Sequence, residues 1–84
     1  PEYWGKGLMK EALRAVMKVA FLDIGFHRLT VRIMDGNVSS VKLAESVGFL
    51  YEGTARDCQI IKGKYATVHT YSILEDEYEK IISV

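Results

Sequence analysis

The residues best suited to chemistry stand near the start of the chain, where Gly5, Lys6 and Gly7 lead into an apolar-periodic run that begins at Leu8. Glycines at the mouth of a helix let a ligand approach the backbone. The first-turn N–H groups, which have no carbonyl partner inside the helix, then point at that ligand. Phosphate is the guest such a turn suits. The stretch is not a nucleotide P-loop, which needs GxxxxGK followed by Ser or Thr, because Gly7 follows Lys6. Nor is it a full GxGxxG fingerprint, since Lys10 stands at the third glycine position. Taken alone, the turn is equally open to a purely structural reading. Histidine as a residue type suits proton transfer near neutral pH. His27 precedes a strand and His69 lies within one, so both read as ordinary surface or packed residues, with no second ligand at metal spacing. Cys58 is the one cysteine, which excludes an intrachain disulfide and a cysteine-only metal cluster. It reads as a small packed side chain in a reducing compartment.

The elements that must position these groups follow from periodicity. Leu8, Met9, Ala12, Leu13, Val16, Ala20 and Ile24 recur at helical spacing, with Lys10, Glu11, Arg14 and Lys18 opposite, and Gly25 is a natural stop. In HRLTVRIM, Leu29, Val31 and Ile33 alternate with Arg28, Thr30 and Arg32, as in a strand with one buried face. DGN turns the chain into a short helix, NVSSVKLAESVG, with Asn37 or Ser39 near its N-cap and Gly48 just past its end. Two β-like runs, Leu50 to Ile61 and Tyr65 to Leu74, flank KGK, whose glycine can take a positive φ, so a hairpin is expected. EDEYEKII closes the chain as a short helix with acidic residues in its first turn.

The 84 residues allow one modest core, so the expectation is a single domain or part of one. Eleven basic and eleven acidic side chains cancel, and no field recommends nucleic acid or an anionic membrane as partner. No run is long and apolar enough to span a bilayer, so the chain reads as soluble and cytoplasmic. The first helix has no preceding strand in the sequence to cross over from, although such a helix normally joins two parallel strands. The expected fold is therefore a partial α/β (α+β) domain: a mixed sheet of about three strands, two main helices and a short C-terminal helix.

YWGKGLMKEAL, NVSS, GFLYEG and the later GKY and YSIL stand in the order and rough spacing of the GNAT superfamily of acetyl-CoA-dependent N-acetyltransferases. The chain most resembles the branch of the RimJ and RimL ribosomal-protein N-terminal acetylases, and the resemblance covers nearly all of it. It implies that residues 1–84 are the C-terminal, coenzyme-binding half of such a domain, with the run Tyr65 to Leu74 lying between the strands Arg28 to Met34 and Leu50 to Ile61. It also implies that Trp4, Gly5, Lys6, Gly7 and Leu8 cradle the coenzyme A pyrophosphate, and that Asn37 holds the pantetheine arm. A helix cap is an equally open role for Asn37.

The family's common tyrosine acid falls at Ala44 here. The resemblance to the RimJ and RimL branch puts Ser40 in its place, donating a hydrogen bond to the coenzyme sulfur, against the alternative of a serine bonded to its own helix backbone. Asp57 matches an acidic strand position of the branch and is the candidate base; a solvated carboxylate is the plainer role. Gln59 is expected to share its face. Thr67 departs from an acidic residue usual after the hairpin. No metal is implied, because a backbone nest supplies fixed donors itself. The implied reaction is acetyl transfer from acetyl-CoA to a primary amine, with a protein N-terminus as one acceptor. The rival readings are a non-catalytic acyl-CoA-binding module and a structural fragment that forms a homodimer through an exposed sheet edge.

Overall fold

The computed structural model describes residues 6–83, with side chains from Leu8 onward. Helix α1 (Lys6–Lys18) runs on into a π-helical stretch (Val19–Ile24), followed by β1 (Arg28–Met34), α2 (Val38–Ser46), β2 (Leu50–Ile61), β3 (Lys64–Leu74) and α3 (Glu75–Ile82). The sheet order is β1-β3-β2, with β3 inserted between the other two as expected. Both pairings are antiparallel. The parallel neighbour that would make the sheet mixed is not among the described residues.

Alternation along β1 decides which face is covered. Leu29, Val31 and Ile33 turn inward, and their register partners Ile73, Tyr71 and His69 on β3 share that face. Ile73 is completely buried, and Met17, Phe21, Ala44, Val47, Phe49, Tyr71 and Tyr78 close around it from all three helices, β3 and the residue ahead of β2. Burying one such aliphatic side chain contributes about 1.5–3 kcal/mol. Phe21 stacks on Tyr78 with ring centroids 4.8 Å apart, which joins the first helical segment to the last.

Helix α1 differs from the expected stripe. The covered side of α1 and the π-helical stretch after it is Leu13, Met17, Ala20 and Phe21, whereas Leu8, Met9, Val16 and Ile24 are exposed. Its apolar arc is wider than one contact can cover, and the sheet takes only one flank of it. The π-helical stretch was not legible as a periodicity. Its last bond runs from the Gly25 N–H to the Ala20 carbonyl at 3.0 Å, and Gly25 ends the helix at φ +86°, the left-handed geometry expected of it.

The connections behave as their residue types require. Gly63 (φ +79°) and Lys62 (φ +53°) make the hairpin turn, so the lysine joins the glycine in the left-handed region. Helix α3 is started by the Glu77 carboxylate, which accepts from the Leu74 N–H at 2.9 Å.

Gly48 follows α2 at φ +104°, and a Cβ placed there would lie 2.3 Å from Ile81 Cδ1 on α3. The backbone is strained for any L-residue, while the end of Ile81 can yield. Gly48→Ala is expected to lower stability by about 1–3 kcal/mol, read as a lower urea midpoint with an unchanged slope.

Candidate functional site

The site is built at the end of β1. Met34, Asp35, Gly36 and Asn37 form a β-turn closed by the Asn37 N–H donating to the Met34 carbonyl at 3.1 Å. Gly36 takes φ +89° at the third position, which is the glycine requirement of a type II turn. The Asp35 N–H donates to the Thr67 carbonyl at 2.9 Å, extending the β1–β3 ladder by one residue. The turn then feeds α2 directly.

Asn37 is the N-cap. Its Oδ1 accepts from the Ser40 N–H at 3.2 Å, so one orphan donor of the first turn is satisfied and the amide NH2 remains available to a ligand. The cap and ligand roles are therefore compatible. Ser40 is half-buried beside it, and its hydroxyl makes no hydrogen bond among the described residues. Ser46, by contrast, does bond back to its own helix, donating to the Leu43 carbonyl at 2.7 Å.

Of the residues expected to hold pyrophosphate, Trp4 and Gly5 lie outside the described residues. Lys6 and Gly7 open α1, which places unpaired first-turn N–H groups there, and the Leu8 side chain is exposed. This end of a 13-residue helix suits an anion, and Asn37 with Ser40 suits an amide-bearing arm and a sulfur. Among the described residues no three His, Cys, Asp or Glu side chains gather at metal distance.

Asp57 is not in regular strand. Between the pairs Ala55–Val68 and Gln59–Ala66, residues 56–58 face Thr67 alone, a bulge that interrupts the alternation supposed to put Asp57 and Gln59 on one face. Asp57 adopts φ +49°, which aspartate tolerates better than most residues, and its N–H donates to Thr67 Oγ1 at 3.2 Å. Its carboxylate is exposed. Thr67 thus ties down both Asp57 and Asp35. Cys58 is exposed in the same bulge rather than packed. His27 is also exposed, with Nδ1 3.9 Å from Glu75.

Two features escaped the sequence reading. A second bulge at Glu52, between the pairs Tyr51–Tyr71 and Gly53–Thr70, aims its carboxylate back across the sheet to Arg28. The guanidinium donates to both carboxylate oxygens, through Nη1 to Oε2 at 2.6 Å and through Nη2 to Oε1, and Nη1 also reaches Ser72 Oγ at 3.5 Å. Those Arg28 hydrogen bonds, with one from Ser72, hold the Glu52 carboxyl below the usual carboxylate range, and the pair raises the Arg28 value in turn. On the opposite face His69 bonds Asp35 and Thr54, a placement that an isolated strand histidine does not announce. A groove of about 420 Å³ lies elsewhere, between α1, the C-terminal end of α2 and α3, at the end of α2 remote from Asn37.

A family model described as an acetyltransferase (GNAT) domain matches residues 1–50. The uncharacterized N-acetyltransferase p20 of Bacillus licheniformis is 33% identical over 76 residues, which are 90% of this chain and 43% of p20. YdaF of Bacillus subtilis, provisionally named a ribosomal N-acetyltransferase, is 35% identical over 93% of this chain and 43% of its own length. Among solved structures, mutant forms of the spermidine/spermine N-acetyltransferase SpeG from Vibrio cholerae superpose with a TM-score of 0.89 at 27% identity, covering 98% of this chain and 48% of that one. The chain belongs to the GNAT acetyltransferase family, and it spans less than half the length of these relatives.

The Arg28–Glu52 pair gives a stability prediction with a defined sign. A carboxylate whose folded value lies below its unfolded one stabilises the fold fully above the ordinary glutamate value, about 4.3. That contribution is lost as pH falls through the lowered folded value. Urea midpoints of Glu52→Gln and the parent chain are expected to converge in strong acid. They separate as pH rises through the carboxylate range and hold a constant, salt-sensitive gap at neutrality.

Proposed function

We propose that this chain forms the coenzyme-binding part of an acetyl-CoA-dependent N-acetyltransferase, with residues 1–84 as the C-terminal half of its domain. The observation that carries the reading is the first turn of α2, where Asn37 and Ser40 are locked together by a 3.2 Å bond while the Asn37 amide NH2 and the Ser40 hydroxyl stay unengaged. Family membership supports the same reading.

In this reading the α1 N-terminus, led by Trp4, Gly5, Lys6, Gly7 and Leu8, binds the pyrophosphate through backbone N–H groups. Asn37 donates from its amide to the pantetheine arm. Acetyl-CoA supplies an activated acyl group, a thioester whose carbonyl an uncharged amine attacks directly. Ser40 donates to the sulfur as the C–S bond breaks and the thiolate leaves. Asp57, exposed in its bulge, remains the base suggested by the RimJ and RimL resemblance. No metal enters the scheme.

The acceptor is a primary amine. Relatives named for ribosomal acetylation and for spermidine acetylation support two forms of it, a protein N-terminus and a polyamine. A reducing, cytoplasmic setting agrees with the exposed lone thiol of Cys58. The outer edge of β2 has no strand partner among the described residues and is the edge at which a second copy would pair in this reading. A non-catalytic acyl-CoA-binding module is the second reading. It is favoured by the exposure of Asp57, whose carboxylate has no hydrogen-bond partner among the described residues.

Calorimetric binding of coenzyme A, run beside acetyl transfer to spermidine and to a peptide with a free N-terminus, separates these readings. Binding with turnover supports the enzyme, binding without turnover the module, and no binding sinks both. Ser40→Ala is expected to reduce kcat by about 10²-fold with coenzyme affinity unchanged; equal kcat in the two proteins would remove Ser40 from the reaction.

A further inference from the structure

The turn that carries Asn37 lies on the surface. Every residue from Met34 to Ser39 is exposed, so burial of apolar surface does not hold this stretch in place. Hydrogen bonds must do so instead. Several of them are internal to it: the Asn37 N–H donates to the Met34 carbonyl at 3.1 Å, and the Val38 N–H donates to the Gly36 carbonyl at 3.0 Å. Asn37, at φ −84° and ψ 73°, is thereby the centre of an inverse γ-turn. These bonds shape the turn without fixing it to the sheet. Gly36 has open space where a side chain would stand, so no neighbour blocks a shift there.

Between the end of β1 and the start of α2, two bonds attach the turn to the sheet among the described residues, and both end on Asp35. Its N–H donates to the Thr67 carbonyl at 2.9 Å, and its Oδ1 lies 2.8 Å from His69 Nε2. Both partners belong to the central strand β3, two residues apart. A single bond leaves a pivot, whereas two bonds from one residue to one strand resist rotation about either.

His69 is suited to this load because it is itself seated. Its side chain is 24% exposed against 68% for that of Asp35. Nδ1 lies 2.7 Å from Thr54 Oγ1 on β2, the Thr54 hydroxyl also meets that of Tyr51, and the rings of His69 and Tyr51 stand 6.5 Å apart between centroids. The placement does not depend on which ring nitrogen is protonated. The hydroxyl can donate or accept, and a carboxyl can do the same across its ionised and protonated forms.

Resting on the reading in which Asn37 holds the pantetheine arm, we propose that His69 is a positioning residue for coenzyme binding. From the central strand it clamps Asp35, and through Asp35 it holds the Met34–Asn37 turn in the geometry that presents the Asn37 amide. Asn37 follows Asp35 by two residues, and the internal bonds of the turn carry any displacement of Asp35 to it. Its Oδ1 is committed to the Ser40 N–H, so the direction of the amide NH2 is set by α2 on one side and by the clamped turn on the other. His69 acts on the coenzyme site only through these residues.

Calorimetric binding of coenzyme A to the protein that carries this chain tests the clamp. Asp35→Ala and His69→Leu are each expected to weaken binding by about tenfold, the scale of one hydrogen bond to a charged group. The double variant should bind no more weakly than either single one, because both remove the same contact. His69→Gln, which keeps a side-chain nitrogen within reach of Asp35, should bind nearly as wild type does, and the Asn37 side-chain amide resonances should move in the two weakened single variants but not in this one. The exposed Asp35 side chain leaves no cavity when it is removed, so Asp35→Ala stays informative even where His69→Leu fails to fold. Unchanged affinity in Asp35→Ala, additive losses in the double variant, or equal losses in His69→Gln and His69→Leu would each overturn the clamp. Asn37→Asp, which keeps the cap oxygen and loses the amide donor, tests the underlying reading separately. Weaker binding in that variant leaves the Asn37 role standing when the clamp fails, whereas unchanged binding overturns that role and the clamp with it.

Discussion

Insertion of β3 between β1 and β2 is the constraint on which the remaining structure depends. It is the one strand among the described residues paired along both edges, and its Ile73 side chain is wholly buried. Closing this arrangement brings a strand from the end of the chain between two that precede it. The hairpin turn at Lys62 and Gly63 makes that return possible, and α3 then packs Tyr78 onto Phe21. Once β3 is in place, β1 and β2 lie two strand spacings apart, roughly 10 Å. Only a side chain on a bulge, or a chain of hydrogen bonds through β3, can join them.

Both solutions are present, one on each face. On the outer face the Glu52 bulge lets a carboxylate reach Arg28 over Ser72. On the inner face no single side chain crosses, and the gap is filled by Asp35, His69, Thr54 and Tyr51 in succession. A partly exposed ion pair contributes modestly to stability and weakens with salt. Both tie β1 and β2 to β3, the first through charge and the second through successive hydrogen bonds.

Much of the architecture was legible because it rests on periodicity and on Gly, Asn and acidic residues at element ends. The β1 alternation, the Gly25 and Gly48 stops, the Asn37 cap, the KGK hairpin and the place of β3 all came from such signals or from the family resemblance. What escaped depends on pairing between distant segments. The bulges at Glu52 and at residues 56–58 arise because β2 carries more residues than the stretch of β3 it faces, and no local pattern records that surplus. The burial of α1 was misread for a related reason. Its apolar arc spans more than one face, so the tertiary contact, not the helix, selects Met17 and Phe21 over Val16 and Ile24. His69 read as an ordinary packed residue because its partners lie 34 and 15 residues away.

The type II turn from Met34 to Asn37 links these observations into one functional argument. Its first half continues the sheet, since the Asp35 N–H pairs with β3, and its second half begins α2 through the Asn37 cap. A turn with two such obligations has little freedom to shift either partner alone. In the proposed reaction the amine must lose a proton while the thioester is held still, and effective catalysis requires both groups in register to a fraction of an ångström. Fixing Asn37, the proposed holder of the coenzyme arm, to the sheet through one four-residue turn sets its position relative to β1 by covalent geometry instead of by packing between loops. The left-handed conformation at Gly36 makes this possible, and no other residue type adopts it there without strain.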